Sequence, residues 1–347
     1  MKILLAGPYH ISALAWYCEY ALLKMGHRVK VFDYRKVAYG RTYPHPPRLE
    51  RRAFDLVIRR ILGRQPFQSM NTRFLSAVQE LDQDLIFVLK GEIFLPETIK
   101  RISETSKARL VVWHGDNPWT GHIYRSANAI FSLQFYDLCF VMERYYIPQF
   151  KKAGAKRVEY LTFGCEPDVH RSLSLTAEER QMYASDICFV GTYQGEFSQR
   201  TRILSALTDF DLRIWGPNWD RAKDPALKRC FAGRPVYGEE MVKVFNASKI
   251  AFNVHNEQFI TAPNMRDFEA PSSGVLLVTH ALAEMPNLYD VGRQVICYSD
   301  IADLRNEIDY FLHNSELREE IAKKGQQRAQ TEHTYQCRME EMLRLCE

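Results

Sequence analysis

Residues 264–279 read NMRDFEAPSSGVLLVT. A polar cluster of Asn264, Arg266 and Glu269 runs into the small-residue turn Pro271-Ser272-Ser273-Gly274, and an apolar strand follows from Val275 to Val278. A helix end, a tight turn and a buried strand are what an α/β chain repeats when it builds a parallel sheet. The stretch also carries chemistry. A carboxylate can accept both hydroxyls of a ribose, and small residues let backbone approach a diphosphate closely. The plain alternative is a helix-to-strand connection with an exposed Glu, and these residues alone do not separate the two.

Working outward, Phe252-Asn253-Val254-His255-Asn256 ends a strand just before this stretch, which puts His255 at the same edge. A satisfied histidine at a strand end is the alternative reading. Further back, Asp186 to Val190 is a strand, Gly191 to Ser198 a loop and Gln199 to Leu207 a helix. Gly191 in that loop would leave backbone N–H groups and a helix N-terminus facing a diphosphate. Arg200, one turn into the helix, would add a charge-assisted contact. Many Rossmann-like units begin this way, so the signal is weak by itself. Leu212 to Trp215, Val236 to Tyr237 and Val295 to Tyr298 read as further strands, and Glu239 to Ala247 and Ile301 to Asn314 as helices.

The first half shows the same alternation. Lys2 to Ala6, Arg28 to Asp33, Leu85 to Leu89, Leu110 to Trp113, Leu138 to Val141 and Val158 to Leu161 are strands, with helices at Ala13 to Met25 and Pro96 to Ser106. The fold class is therefore α/β, with two Rossmann-like doubly wound domains facing across a cleft, because such sheets bind ligands beyond the carboxyl ends of their strands. The expected boundaries are 1–166 for the acceptor-side domain, 167–185 for a polar hinge and 186–330 for the donor domain. A C-terminal helix, 331–347, would cross back to the first domain.

Two stretches of the first half hold candidate groups. The loop GPYHIS lacks the glycine spacing of a dinucleotide fingerprint, so His10 reads better as an acceptor-side contact than as part of a nicotinamide site. WHGDNPW, residues 113–119, follows a strand, and His114 and Asp116 could act as a base or orient a hydroxyl. A turn capped by Asp116 is the alternative.

Bulk properties narrow the class. With 46% hydrophobic and 25% charged residues the chain is that of a globular protein. No apolar run reaches a membrane span, and MKILLAGPYH is a first strand and not a signal peptide. A net charge of +4 is too small to imply nucleic acid. The eight cysteines sit at no metal or redox spacing, which favours free thiols in a reducing cytoplasm. There is no metal-binding motif, so no metal or cofactor is expected beyond the donor substrate. One segment, 41–64, interleaves Arg41, Arg48, Arg51, Arg52, Arg59, Arg60 and Arg64 with apolar residues. It is either a solvated helix face or a peripheral contact to an anionic membrane.

Together DICFVGTYQGEFSQR (186–200), LRIWGPNW (212–219), VYGEEMVKVFNASKIAFNVHN (236–256) and NMRDFEAPSSGVLLVT resemble the CgeB-like, spore-maturation-type glycosyltransferases, a branch of the GT-B superfamily. WHGDNPW and YLTFGCEPDVHR (160–171) look like weaker N-terminal signatures of the same group. The resemblance implies a nucleotide-diphosphate-sugar donor on the second domain and an unidentified acceptor. It places Glu269 at the donor ribose, Gly274 in the matching turn, and Arg200 and Arg266 at the phosphates; His255 and Asn264 are read as donor contacts from their own positions beside that motif. One position departs: many retaining GT-B enzymes carry a glutamate eight residues before the ribose-binding one, where this chain has Thr261. Retention is the expected stereochemistry by likeness, whereas inversion would call on Asp116 or His114. A non-catalytic sugar-nucleotide-binding protein and a nucleotide-sugar epimerase are the alternatives.

Overall fold

The computed structural model describes residues 1–40, 67–119, 127–195 and 198–347. The arginine-rich segment 41–64, and with it the expected membrane contact, lies outside the described residues. Two compact units form, one from Met1–Thr162 with Met339–Glu347, the other from Phe163–Arg338. Each is built on a wholly parallel sheet.

The first sheet holds β1 (Lys2–Ala6), β2 (Arg28–Phe32), β3 (Leu85–Leu89), β4 (Arg109–His114), β5 (Leu138–Val141) and β6 (Val158–Tyr160). Their order is β2-β1-β3-β4-β5-β6. All five residues of β3, LIFVL, are buried, which is why a strand covered by helices on both faces reads as an unbroken apolar run. The second sheet holds β7 (Ser185–Val190), β8 (Leu212–Trp215), β9 (Ser248–Asn253), β10 (Leu276–His280) and β11 (Ile296–Tyr298), in the order β11-β10-β9-β7-β8. Its core includes Phe189, Leu204, Trp219, Phe252 and Tyr298. The α/β class with two doubly wound domains is thus what the chain forms. Strand order reverses between β1 and β3 in the first sheet and between β7 and β9 in the second.

Three local expectations change. Val236 and Tyr237 form no strand; Tyr237 is extended but serves as the N-cap of the helix Gly238–Ala247. The stretch 167–185 carries a helix, Ala177–Tyr183, started by a capping box between Thr176 and Glu179. It docks through the Tyr183 hydroxyl on Glu240 (2.8 Å) and through Glu179 on Lys243 (2.8 Å). Its apolar period is poor, but the T-x-x-E start signal was present. The expected C-terminal helix, 331–347, begins later, as Tyr335–Cys346, after a separate helix Ser315–Glu332 and a break between the two. The break is pinned by Cys165, whose N–H donates to His333 O (2.8 Å) and whose carbonyl accepts from Tyr335 N (2.8 Å). Beyond it the tail joins the first unit, as expected of a crossing helix: Arg157 donates to Leu345 O and Arg109 to Cys346 O, both at 2.8 Å. No helix among the described residues is long and apolar enough to cross a membrane.

One glycine contact holds the carboxyl ends of β7 and β8 together. Gly216 has φ +150°, and a Cβ there would lie 2.0 Å from Gly191 O. That carbonyl in turn accepts from the Trp219 indole (2.7 Å). Gly216→Ala must therefore both strain its backbone and force the packed strand ends away from each other, and we expect a loss of roughly 2–4 kcal/mol in urea unfolding. A variant of unchanged stability would show that this approach is not required.

Candidate functional site

At the order reversal of the second sheet, two arginines tie down main chain beyond the strand ends. Arg266 Nε donates to Val190 O at the end of β7 (3.1 Å). Arg200 donates to Thr192 O after β7 and to Val254 O after β9, both at 2.9 Å. Switch points of this kind are where open parallel sheets bind ligands. Arg266 opens the helix Arg266–Ser272, and one turn on it forms an ion pair with Glu269. The arginine side chain is 27% exposed and the glutamate 2%, so the pair offers its cationic side to solvent.

Behind Glu269 lies His170, with Nε2 3.8 Å from Oε1. The N–H of Glu166 donates to His170 Nδ1 (3.0 Å), which leaves the ring proton on Nε2, facing the carboxylate. Burial outweighs the attraction of Glu269 and holds His170 at about 4. The ring is therefore neutral at physiological pH.

Asn264 and His255 belong to a second network, centred on Asp267. Burial opposes ionisation of this carboxyl, but His255 and the hydrogen bonds of His255, Thr279 and Asn253 hold it below its ordinary value. The backbone N–H of Asn264 donates to it (2.9 Å), and the Asn264 side chain accepts from Arg266 N (2.8 Å). Gly191 and Gly274 are placed for packing: a Cβ on Gly191 would meet the Phe189 ring at 2.6 Å. Gly274, at φ +86°, ends the helix that Arg266 begins, beside Ser172 and Gln326. It thus lies on the opposite edge of the sheet from Arg266.

In the first unit, charged groups gather at the carboxyl ends of β3 and β4. Arg35, Lys90, Glu92, His114 and Asp116 line a small pocket with Pro118 and Ala129. Lys90 pairs with Asp116, and Arg35 Nε donates to Glu92 (3.0 Å), whose other oxygen lies 2.6 Å from the Tyr34 hydroxyl. Burial opposes ionisation of Glu92, but Arg35 and Lys90 hold it at about 2. Lys90 sits at φ +67°, a left-handed conformation that a non-glycine residue adopts at some cost. His114 packs edge-on against Phe150, and burial lowers it to about 4. His10 lies in the loop after β1, with Nδ1 3.0 Å from Ile11 O. Among the described residues no group of three or more His, Cys, Asp and Glu side chains could hold a metal ion.

Residues 199–344, most of the second unit, match a family model described as "Glycosyl transferase-like". No curated protein sequence matches the chain. Among solved structures, sucrose-phosphate synthase from Thermosynechococcus elongatus is 13% identical with a TM-score of 0.67, over 99% of this chain and 98% of its own. Anabaena HepE, in complex with UDP and glucose, has the same identity and TM-score over 99% of both chains. A glycosyltransferase from Rickettsia africae is 10% identical with a TM-score of 0.65, over 99% and 97%. The fold is GT-B.

Within each unit the structure gathers some of the candidates and separates others. Arg200, Arg266 and Glu269 converge, as do His255 and Asn264, and in the first unit His114 lines one pocket with Asp116. Sequence reading missed Asp267, His170, Arg35, Lys90 and Glu92. The run Lys90-Gly91-Glu92 directly after β3 was a readable signal. No such signal marks Asp267, which looks like an ordinary acid in a first helical turn. Thr261 also gains a partner: its hydroxyl donates to Glu284 (2.9 Å), and Glu284 N donates to its carbonyl (2.8 Å). A buried carboxylate from the β10–β11 connection thus sits against that position.

The buried histidines make a pH prediction. His114, His170 and His333 are each held at about 4, mainly by burial, against an ordinary 6.5. A base depressed in the folded state stabilises the fold above its unfolded value. That contribution is lost as pH falls from about 6.5 through 4, by on the order of 3 kcal/mol per histidine at most. The unfolding midpoint should fall over this range, and His170→Gln should flatten the slope. An unchanged slope in the variant would remove His170 from the account.

Proposed function

We propose that the chain is a glycosyltransferase that moves a sugar from a nucleoside-diphosphate sugar to an acceptor hydroxyl. The observation that carries this reading is Arg266, partly turned to solvent by its Glu269 partner, at the switch point of a GT-B sheet. Departure of a nucleoside diphosphate develops negative charge, and a preorganised cation stabilises it without moving. The complexes of HepE with UDP and glucose and with UDP-glucose support the donor class. In the reading, Glu269 takes the ribose hydroxyls, Arg200 and Arg266 meet the diphosphate, and His10, His114 and Asp116 serve the acceptor. The narrower likeness to the CgeB-like branch rests on motif order within 186–335.

Retention of configuration is included in the proposal. His114, held at about 4, takes up a proton poorly at neutral pH, and Asp116 is paired with Lys90, so neither is poised as the strong base that inversion needs. Charge neutralisation by arginine makes the reaction independent of metal. Eight free cysteines suit a reducing cytoplasm. A second reading, nucleotide-sugar binding without transfer, has one observation behind it, the threonine at 261.

A panel of UDP-, GDP-, dTDP- and ADP-sugars tests the donor. The right one, at ~100 times its dissociation constant, should stabilise the protein by ~2.7 kcal/mol. Arg266→Ala and Glu269→Ala should still fold, at a cost in stability from the lost ion pair, and lose at least about 100-fold in transfer, with a chelator leaving wild-type turnover unchanged. Stabilisation with no turnover on any acceptor would favour the binding protein, and donor conversion without acceptor an epimerase. Recruitment to anionic membranes through 41–64 belongs to the same proposal. Charge reversal of Arg51, Arg52, Arg59 and Arg60 should abolish binding to acidic liposomes, and equal partitioning of the variant would end the idea.

A further inference from the structure

The Asp267 carboxylate is wholly buried and fully engaged. Oδ1 accepts from Asn253 Nδ2 (2.9 Å) and Thr279 Oγ1 (2.6 Å). Oδ2 accepts from Asn264 N (2.9 Å) and meets His255 Nε2 at 2.7 Å. An ionised carboxylate is acceptor-only, so the hydrogen between it and the imidazole belongs to His255 Nε2. In the neutral ring Nδ1 is then a bare lone pair. That atom is buried and has no hydrogen-bond partner.

The place of this atom gives it meaning. His255 follows the carboxyl end of β9 by two residues, next to Val254, whose carbonyl Arg200 holds. A link that only joined β9, β10 and the Arg266 helix would be complete with Asp267 and its donors. It would not need an imidazole whose second nitrogen goes unpaired. We infer that His255 Nδ1 accepts the hydrogen of a hydroxyl on the bound nucleotide sugar, and that Asp267 is the positioning residue that fixes the imidazole tautomer for this contact. The inference rests on the nucleotide-sugar reading above. The hydroxyl has two sources, the ribose and the transferred sugar.

Calorimetry on the full chain separates them, with UDP, GDP, dTDP and ADP as probes, each alone and as its glucose ester. His255→Gln keeps a donor for Asp267 and removes the Nδ1 acceptor. Asp267→Asn removes the charge that holds the proton on Nε2, while its amide oxygen still accepts from Asn264 N, so the imidazole tautomer is no longer fixed. Thr279→Val loosens Asp267 without touching the ring and controls for simple loss of order. Both ring-altering variants should weaken binding about tenfold or more, and Thr279→Val should not. Equal loss for nucleotide and ester assigns the ribose hydroxyl; loss for the ester alone assigns the sugar. Nitrogen NMR of the wild type should show an unprotonated His255 Nδ1 that shifts on ligand binding. Unchanged affinity in His255→Gln and Asp267→Asn, or an equal loss in Thr279→Val, overturns the inference while leaving the donor reading intact. A wild type that binds none of the probes overturns the donor reading, and this contact with it.

Discussion

Where the second sheet reverses its strand order, the carbonyls of Val190, Thr192 and Val254 are taken up by guanidinium groups of Arg200 and Arg266. Val190 and Val254 are buried, so their acceptors must be paired, and here side chains from two helices do it. The consequence reaches beyond the backbone. Meeting this demand places positive charge at the edge where a parallel sheet receives ligands, and the Arg266 helix then carries Glu269 and Asp267 to the same region. Stability and charge placement share one set of contacts, so neither arginine is a detachable binding residue.

The first unit satisfies a similar edge with charge of both signs. Lys90 and Arg35 face Asp116 and Glu92 around a small pocket at the ends of β3 and β4. Opposite charges offset one another there, and the strained backbone at Lys90 is held by an ion pair and by its N–H on Trp113 O (3.0 Å). Such a site suits a neutral, hydroxyl-bearing group better than an anion. The second unit, with Arg266 partly open to solvent and Arg200 behind it, has the opposite bias. That contrast is the physical ground for dividing donor and acceptor roles between the units in the proposed function.

Much of this was legible along the chain. β-strands such as LIFVL and ICFV announce themselves because both their faces are covered, and the alternation with helices forces a parallel sheet. Arg266 and Glu269 were legible as one polar cluster, and they pair because positions three apart on a helix share a face. The capped helix Ala177–Tyr183 was harder, since its polar surface hides the apolar period. Asp267 was not legible at all. Asn264 lies one turn before it, but its other donors, Asn253, His255 and Thr279, come within reach only when β9 folds against β10.

Taken alone, the amino-acid order determined the α/β class, two doubly wound halves and the region from 264 to 279 as the place to look. These follow from local period and turn chemistry, which act over a few residues. Only the tertiary structure decided that Gly274 closes a helix on the far edge, that Glu284 stands against Thr261, and that His255 turns one nitrogen to Asp267 and leaves the other unpaired. Those outcomes depend on which buried polar groups find partners across the sheet. Pairing of that kind is set by packing between segments distant in the chain.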